Sequence, residues 1–376
     1  MKGTQSLVRI PSENPSGSER KCAQYVEDYL KDLNGISLQV QPVEDERSNI
    51  IAIYKGSDSS LRPLVILAHM DTVPVEGTWS QQPFGAEVID GRLYGRGACD
   101  MKSGLAAALV AFKNVVQQSQ PKRDLYLAIT VDEEGPFMKG AVALVNEEVI
   151  PENAELLVTE PTSNTIAVAH KGTIWYEIVI TGRSAHGGHA VVGIDAGHVA
   201  AESIMQLKAN VADLPYDHER FGKPTLSVGT IHGGEKTNMV AGSVRMELDF
   251  RLVAPMTQEE ADELVDRSMK AACRKFKGAS YTVNHYGYPR PPIDSNLESD
   301  LLERLEDACE LTLKEEVSHT GFPAYTDASM IALKTGNRDL LVFGPANLEQ
   351  AHRIDEYVEI NQIEDCVNVL EEFMKK

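Results

Sequence analysis

Short apolar runs alternate with helical patterns through the first 160 residues. This alternation constrains the fold more than any other feature of the sequence. Residues 125–131 (LYLAITV) are apolar almost throughout, as in a parallel strand that is buried on both faces. Similar runs occupy 48–54 and 63–68, and a strong helical pattern covers 102–118. Because strands that alternate with helices build a layered sheet, we expect an α/β domain with αβα layers.

The pattern changes at residue 173, where apolar and polar residues begin to alternate (TIWYEIVITG). The elements expected from here are strand 173–182, helix 195–209, strands 225–232 and 243–252, helix 257–276 and strand 280–285. The order βαββαβ is that of a ferredoxin-like α+β domain. We therefore expect a discontinuous domain, 1–172 and 286–376, interrupted by a smaller domain, 173–285.

Composition excludes several classes of partner. The 56 acidic residues outnumber the 36 basic ones, which gives a formal net charge of −20, so binding to nucleic acid is not expected. No apolar stretch is long enough for a membrane span, and the N-terminus lacks the apolar run of a signal peptide. The five cysteines are scattered and never form CxxC, which argues against a disulfide framework and a cysteine zinc site. We expect a cytoplasmic protein.

Five short clusters carry residues that can bind metals, and each lies in a loop or at the end of a strand. They contain His69 and Asp71 (HMDTVP), Asp100 (GRGACDMKSG), Glu133 and Glu134 (DEEG), Glu160 (TEPT) and His352 (QAHRIDE). Taken singly, each cluster also fits an ordinary loop or helix cap. The acidic run after 125–131 is more informative, because α/β sheets bind ligands beyond the carboxyl ends of their strands.

Together the clusters offer two histidines and three carboxylates, enough for two divalent ions that share one bridging carboxylate. Glu133 is then left without a metal, and a free carboxylate at such a site is what a general base requires. Asp71 is expected to hold the second ring nitrogen of His69. The glycines before Asp100 do not complete a GxGxxG motif, so nucleotide binding is not expected.

The five motifs, in this order and spacing, resemble the M20 metallopeptidase family over nearly the whole chain. Its members include acetylornithine deacetylase, succinyl-diaminopimelate desuccinylase, aminoacylase and glutamate-releasing carboxypeptidases. The resemblance implies two zinc ions per subunit, for which cobalt or manganese could substitute. It implies that Asp100 bridges the ions, that His69 and Glu160 complete one, and that Glu134 and His352 complete the other. It also implies that Glu133 is the general base and that Asp100–Met101 is a cis peptide.

The inserted domain resembles the lid and dimerisation domain of the same family, which implies a homodimer. By this resemblance, His186 (GRSAHG) reaches the active site of the neighbouring subunit and stabilises the oxyanion. Asn238, Arg251 and Asn347 are expected to bind the substrate, Arg251 through its carboxylate. The lid loop also carries His189, which competes with His186 for this role, and the proline that often follows the lid histidine is missing.

The resemblance implies a hydrolase that cleaves the amide bond of an N-acyl amino acid. Within the family, a glutamate at position 160 favours deacylation or carboxypeptidase action over aminopeptidase action. The EPT context of Glu160 and the AHKG segment most resemble the acetylornithine deacetylase and desuccinylase branch. A metallo-carboxypeptidase or dipeptidase acting on short peptides stays open as an alternative, since it would share every metal ligand. An inactive metal-binding relative is the non-enzymatic alternative, and the presence of Glu133 argues against it.

Overall fold

The computed structural model describes residues 1–15, 19–314 and 317–376. The chain forms two compact units. The larger unit comprises Met1–Ala169, Asp294–Phe322 and Thr326–Lys376, and the smaller unit comprises His170–Ile293 and Pro323–Tyr325.

The helices in chain order are α1 (Lys2–Val8), α2 (Arg20–Leu30), α3 (Lys102–Gln118), α4 (Lys139–Asn146), α5 (Ala196–Ala212), α6 (Gln258–Arg274), α7 (Asp300–Leu313), α8 (Ala328–Thr335) and α9 (Ile360–Lys375). Two 3-10 helices cover Gly187–Val192 and Leu348–Gln350. The strands are β1 (Ile36–Glu44), β2 (Arg47–Tyr54), β3 (Leu64–His69), β4 (Glu87–Ile89), β5 (Arg92–Tyr94), β6 (Leu125–Thr130), β7 (Glu155–Val158), β8 (Ile166–His170), β9 (Gly172–Thr181), β10 (Thr225–Gly233), β11 (Ser243–Leu252), β12 (Ser280–His285), β13 (Ile293–Asp294), β14 (His319–Phe322), β15 (Leu340–Val342) and β16 (Tyr357–Glu359).

A mixed sheet forms the centre of the larger unit, with strand order β1-β2-β6-β3-β7-β15-β8-β13 and β14 paired to β8. Strands β6, β3, β7 and β15 run parallel to their neighbours in that group, whereas β1–β2 and β2–β6 are antiparallel. Every residue of β3, β6 and β7 is buried. The expected α/β class is therefore confirmed as a mixed α/β fold with a central mixed sheet.

One hydrophobic core joins this sheet to helices α2, α3, α7 and α9. Helix α3 is rich in alanine and leucine and is buried along most of its length, and it packs against α9 and α1. Because β3, β6 and β7 are parallel, their carboxyl ends lie at one edge of the sheet. The residues that follow these three strands are thereby brought together.

The smaller unit contains an antiparallel sheet of order β10-β11-β9-β12. Alternate residues of β9 and β11 face α5 and α6 and form a second core with them. Along the chain the elements follow one another as strand, helix, two strands, helix and strand, the order predicted from the sequence. Among the residues described in both units, no helix is both long and apolar enough to cross a bilayer.

Candidate metal centre

The carboxyl ends of three parallel strands position four of the predicted side chains. His69 is the last residue of β3, Glu133 and Glu134 follow β6, and Glu160 follows β7. Asp100 directly precedes the turn into α3, and His352 lies just after the 3-10 helix Leu348–Gln350. The peptide between Asp100 and Met101 is cis, as expected.

Asp100 lies at the middle of this group, because each of its carboxylate oxygens faces a different histidine. Its Oδ1 is 3.2 Å from His69 Nε2, and its Oδ2 is 3.2 Å from His352 Nε2. Glu160 Oε1 lies 3.5 Å from His69 Nε2 on one side, and Glu134 Oε1 lies 3.0 Å from His352 Nε2 on the other. The structure thus brings all five predicted ligands together in two halves that share Asp100.

The electrostatics of the group fit divalent cations. Burial raises the pKa of Glu133, Glu134 and Glu160, and the neighbouring carboxylates raise it further. Although burial lowers the pKa of His352, hydrogen bonds with Asp100 and Glu134 raise it to about 11. Buried carboxylates that outnumber the nearby histidines need positive charge to stay ionised. Imidazole and carboxylate ligands suit zinc and other divalent transition metals.

Glu133 lies farther from the nearest histidine than the other carboxylates of the group do. Its side chain is almost completely buried, and no described residue donates a hydrogen bond to its carboxylate. His69 Nε2 lies 3.9 Å from Glu133 Oε2. Glu133 therefore places a carboxylate that can still accept hydrogen bonds beside His69 and Glu160.

Asp71 contacts three residues of the site, whereas the sequence predicts a contact with His69 alone. His69 Nδ1 lies 3.1 Å from the Asp71 carbonyl oxygen and 3.5 Å from its Oδ1, so the closer partner is the backbone. The Asp71 carboxylate accepts the backbone N–H groups of Glu133 (3.2 Å) and Glu134 (3.1 Å). Asp71 is fully buried. It therefore fixes His69 and the turn that carries both glutamates.

A buried network extends outward from Asp71. Asn14 Nδ2 donates to Asp71 Oδ2 and to Asp132 Oδ1, each at 2.9 Å. Arg47 pairs with Asp132 at 3.0 Å and also with Glu19. Asn14 was missed in the sequence because a polar residue beside proline reads as an ordinary turn.

Glu356 is a second residue that the sequence did not single out. Its Oε1 accepts the backbone N–H groups of Cys99 (2.8 Å) and Asp100 (3.1 Å), and its Oε2 pairs with Arg96 at 2.5 Å. Glu356 follows His352 by four residues, so the loop of His352 and the loop of Asp100 are tied together. An acid just before β16 gives no sequence signal of this kind, since surface loops commonly contain acids.

Asp327 is a further buried carboxylate of the larger unit. Thr130 donates a hydrogen bond to its Oδ2, and burial raises its pKa to about 7. Its charge contributes to the raised pKa of Glu133. Asp327 was not identified as a candidate from the sequence.

The other predicted residues have local partners of their own. In the larger unit, Asn347 caps the 3-10 helix Leu348–Gln350, because its side chain accepts the N–H of Glu349 at 2.9 Å. In the smaller unit, His186 is exposed and its Nδ1 accepts the N–H of Gly188 at 3.0 Å. The Asn238 carbonyl oxygen accepts the N–H of Gly187, next to His186, at 2.8 Å. His189 is exposed on the same 3-10 segment as Gly188.

Arg251 lies on β11 of the smaller unit. Its Nε and Nη2 donate to Asp249 Oδ2 at 3.0 and 2.8 Å. Its guanidinium carbon lies 5.6 Å from the centre of the Tyr325 ring. The side chain of Arg251 is partly exposed.

The sequence model of the peptidase family M20/M25/M40 matches residues 65–376. Acetylornithine deacetylase of Vibrio cholerae serotype O1 is 28% identical over 379 residues, which cover 99% of this chain and 95% of that protein.

Solved structures share the fold. The M20 family metallo-carboxypeptidase Sso-CP2 from Sulfolobus solfataricus superposes with a TM-score of 0.80 at 19% identity, over 99% of this chain and 97% of that one. The Bacillus subtilis YXEP protein, described as a dinuclear metal binding peptidase, superposes with a TM-score of 0.74 at 16% identity, over 100% and 96% of the two chains.

Proposed function

Since the chain belongs to the peptidase family M20/M25/M40 and is a metal-dependent hydrolase of amide bonds, we propose that it removes the acyl group from an N-acyl amino acid. The observation that carries the proposal is the arrangement around Asp100, whose two oxygens face two separate histidine–glutamate pairs. Glu133 stands beside them with a carboxylate that accepts no hydrogen bond from described residues. The similarity to acetylornithine deacetylase supports the choice of substrate class.

Two zinc ions per chain are the proposed cofactor, with cobalt or manganese as substitutes. Asp100 would bridge them, His69 and Glu160 would complete one, and Glu134 and His352 the other. When bound, the ions polarise the substrate carbonyl and make a water molecule more acidic.

Glu133 acts as the general base and then as the general acid. It takes a proton from the attacking water as the oxygen–carbon bond forms. It then passes that proton to the nitrogen as the carbon–nitrogen bond breaks, so the amine leaves neutral. Asp71 positions Glu133 for this transfer through the backbone N–H that it accepts.

The smaller unit is proposed to be a ferredoxin-like lid that also forms a homodimer. Edge strand β10 and its surroundings expose large apolar side chains, which suits a protein interface. These include Ile231 (54% exposed), Met205 (65%) and Met239 (43%). The partner subunit's His186 would donate a hydrogen bond to the oxyanion.

Three residues are proposed to bind the substrate. Arg251 and Asn238 would bind its carboxylate, and Asn347 would also contact it. Arginine suits this role because its planar donors match a carboxylate.

Hydrolysis of a panel of amides by the zinc-loaded protein tests the proposal. The panel contains N-acetylornithine, N-succinyl-diaminopimelate, several N-acetyl amino acids and a few dipeptides. We expect release from one acylated amino acid, and we expect Glu133→Ala to abolish it while the metals stay bound. Cleavage of the dipeptides alone would contradict the deacylase assignment and would identify a peptidase of the same family.

A further inference from the structure

One face of the sheet in the smaller unit is turned away from its helices. The apolar residues of β9 and β11 at even positions belong to the core with α5 and α6. The odd positions therefore lie on the opposite face, because neighbouring residues of a strand point to opposite sides. This face, here called the open face, carries Thr173, Asp249 and Arg251, and Thr173 pairs with Arg251 across the strands.

Arginines on the open face have acidic partners. Arg245 Nη2 lies 2.6 Å from Glu177 and 2.8 Å from Glu247. Arg251 is bound to Asp249 by two of its nitrogens. The positive charge of each arginine is therefore offset by at least one carboxylate.

Lys171, which immediately precedes β9, has no such partner. Among the described residues, none accepts a hydrogen bond or forms an ion pair with its ammonium group. Its Nζ lies 5.7 Å from the centre of the Phe221 ring. Lys171 precedes Thr173, the cross-strand partner of Arg251, by two residues. Burial and the charge of Arg251 lower the pKa of Lys171. Partial burial of an ammonium group without a neighbouring anion costs free energy. Such an unpaired cation is unusual in a chain of net charge −20.

A stack of aromatic rings and a second guanidinium lies beside Arg251. Arg290 is fully buried, and its guanidinium carbon lies 4.3 Å from the Tyr325 ring centre and 4.9 Å from that of Trp175. Tyr325 in turn lies 5.6 Å from the guanidinium carbon of Arg251. Arg251 is therefore held by a cation–π contact as well as by Asp249. No described residue accepts a hydrogen bond from the Nη1 of Arg251, and 27% of this side chain is exposed, so Nη1 is available to a ligand.

We propose that Lys171 and Arg251 together bind the substrate carboxylate, with Lys171 supplying the net positive charge of the site and selecting free acids over amides. Arg251 contributes directed hydrogen bonds, but Asp249 already offsets its charge. The ammonium of Lys171 stays unpaired until a carboxylate arrives. This rests on the proposed function, which assigns carboxylate binding to Arg251 and Asn238, and it adds Lys171 as a specificity-determining residue.

The test compares acids with their carboxamides in four proteins: the parent, Lys171→Met, Lys171→Arg and Arg245→Met. The last is the matched control, because Arg245 lies on the same face but is paired. With the best acid of the amide panel, Lys171→Met should raise KM at least tenfold with kcat nearly unchanged. With the carboxamide, Lys171→Met and the parent should have the same KM. Lys171→Arg should restore most of the acid preference, and Arg245→Met should match the parent.

Calorimetric binding of N-acetyl-L-methionine and N-acetyl-L-methioninamide separates this proposal from the proposed function. This pair differs only in the carboxylate, and its binding needs no turnover. The parent should bind the acid at least tenfold more tightly, and Lys171→Met should lose that preference. A preference for the acid without hydrolysis of any panel member would contradict the proposed function and retain the carboxylate site. Equal binding of acid and amide by the parent would overturn the proposed role of Lys171. An unchanged preference for the acid in Lys171→Met would overturn it as well.

Discussion

At the residue scale, buried carboxylates hold the loops that carry the proposed metal ligands. Glu356 accepts two backbone N–H groups in the Asp100 loop and pairs with buried Arg96. Asp71 likewise accepts two backbone N–H groups, those of Glu133 and Glu134. Groups that orient metal ligands affect metal affinity although they do not touch the ion.

Replacing Glu356 with glutamine tests this view of the centre. The neutral amide keeps the size of the side chain but offers one acceptor oxygen, so Arg96 or the two N–H groups lose their partner. We expect metal affinity to fall by roughly 10- to 100-fold, measured by competition with a chelator. Glu359→Gln is the control, since Glu359 pairs with Arg92 on the surface. Equal affinities in the two variants would contradict a role for Glu356 in holding Asp100.

The contrast between predicted and missed residues has a physical reason. His69, Asp100 and His352 carry types of side chain that bind metals, so the sequence identifies them as candidates. Glu356 and Asn14 act through backbone groups and through other side chains, and such contacts depend on the fold. Arg251 was identified by resemblance, whereas Lys171 became noticeable only because the described residues give it no partner.

At the element scale, the close approach of α3 to the end of β7 brings the Asp100 and Glu160 loops together. Gly104 of α3 allows this approach, because a Cβ there would lie 1.9 Å from the carbonyl oxygen of Thr159. Thr159 directly precedes Glu160, so a side chain at position 104 would displace a proposed ligand.

We expect Gly104→Ala to lower the free energy of unfolding by about 1–3 kcal/mol or more and to weaken metal binding. Chemical denaturation and a metal titration of the same samples measure both effects. Gly3→Ala in α1 is the control, since a Cβ there meets no atom closer than 3.9 Å. Unchanged metal binding in Gly104→Ala would show that the Glu160 turn tolerates the shift.

The elements with strong patterns were predicted well. The helix expected at 102–118 has those bounds, and the run 125–131 forms β6 at Leu125–Thr130. The short strands β4, β5 and β16 were not expected, because three-residue strands have too few positions to show a period. Strand β1 was also missed, since most of its residues are exposed or half-buried and its apolar pattern is weak.

At the scale of the whole molecule, the residues proposed for metal binding and those proposed for carboxylate and oxyanion binding lie in different units. The larger unit contains all five proposed metal ligands and Glu133, and the smaller unit contains His186, Asn238, Arg251 and Lys171. The mixed order of the central sheet could not be predicted, because a strand's apolar run is the same whether its neighbour is parallel or antiparallel.

We expect the protein to be a homodimer, with twice the chain mass of 41.2 kDa in light scattering. Ile231→Lys places a charge on the exposed apolar edge of β10 and should give a monomer with greatly reduced turnover. Leu311→Lys is the control, because Leu311 is exposed on α7 of the larger unit. A parent protein with the mass of one chain would rule out the dimer.

The most direct test of the account is the number of divalent ions bound per chain, measured by elemental analysis of the parent, Asp100→Ala and Glu133→Ala. If Asp100 bridges two ions, the parent holds two, Asp100→Ala loses at least one, and Glu133→Ala keeps both. A parent that holds one ion or none, or an Asp100→Ala variant that still holds two with the same affinity, would contradict a dinuclear centre built on Asp100.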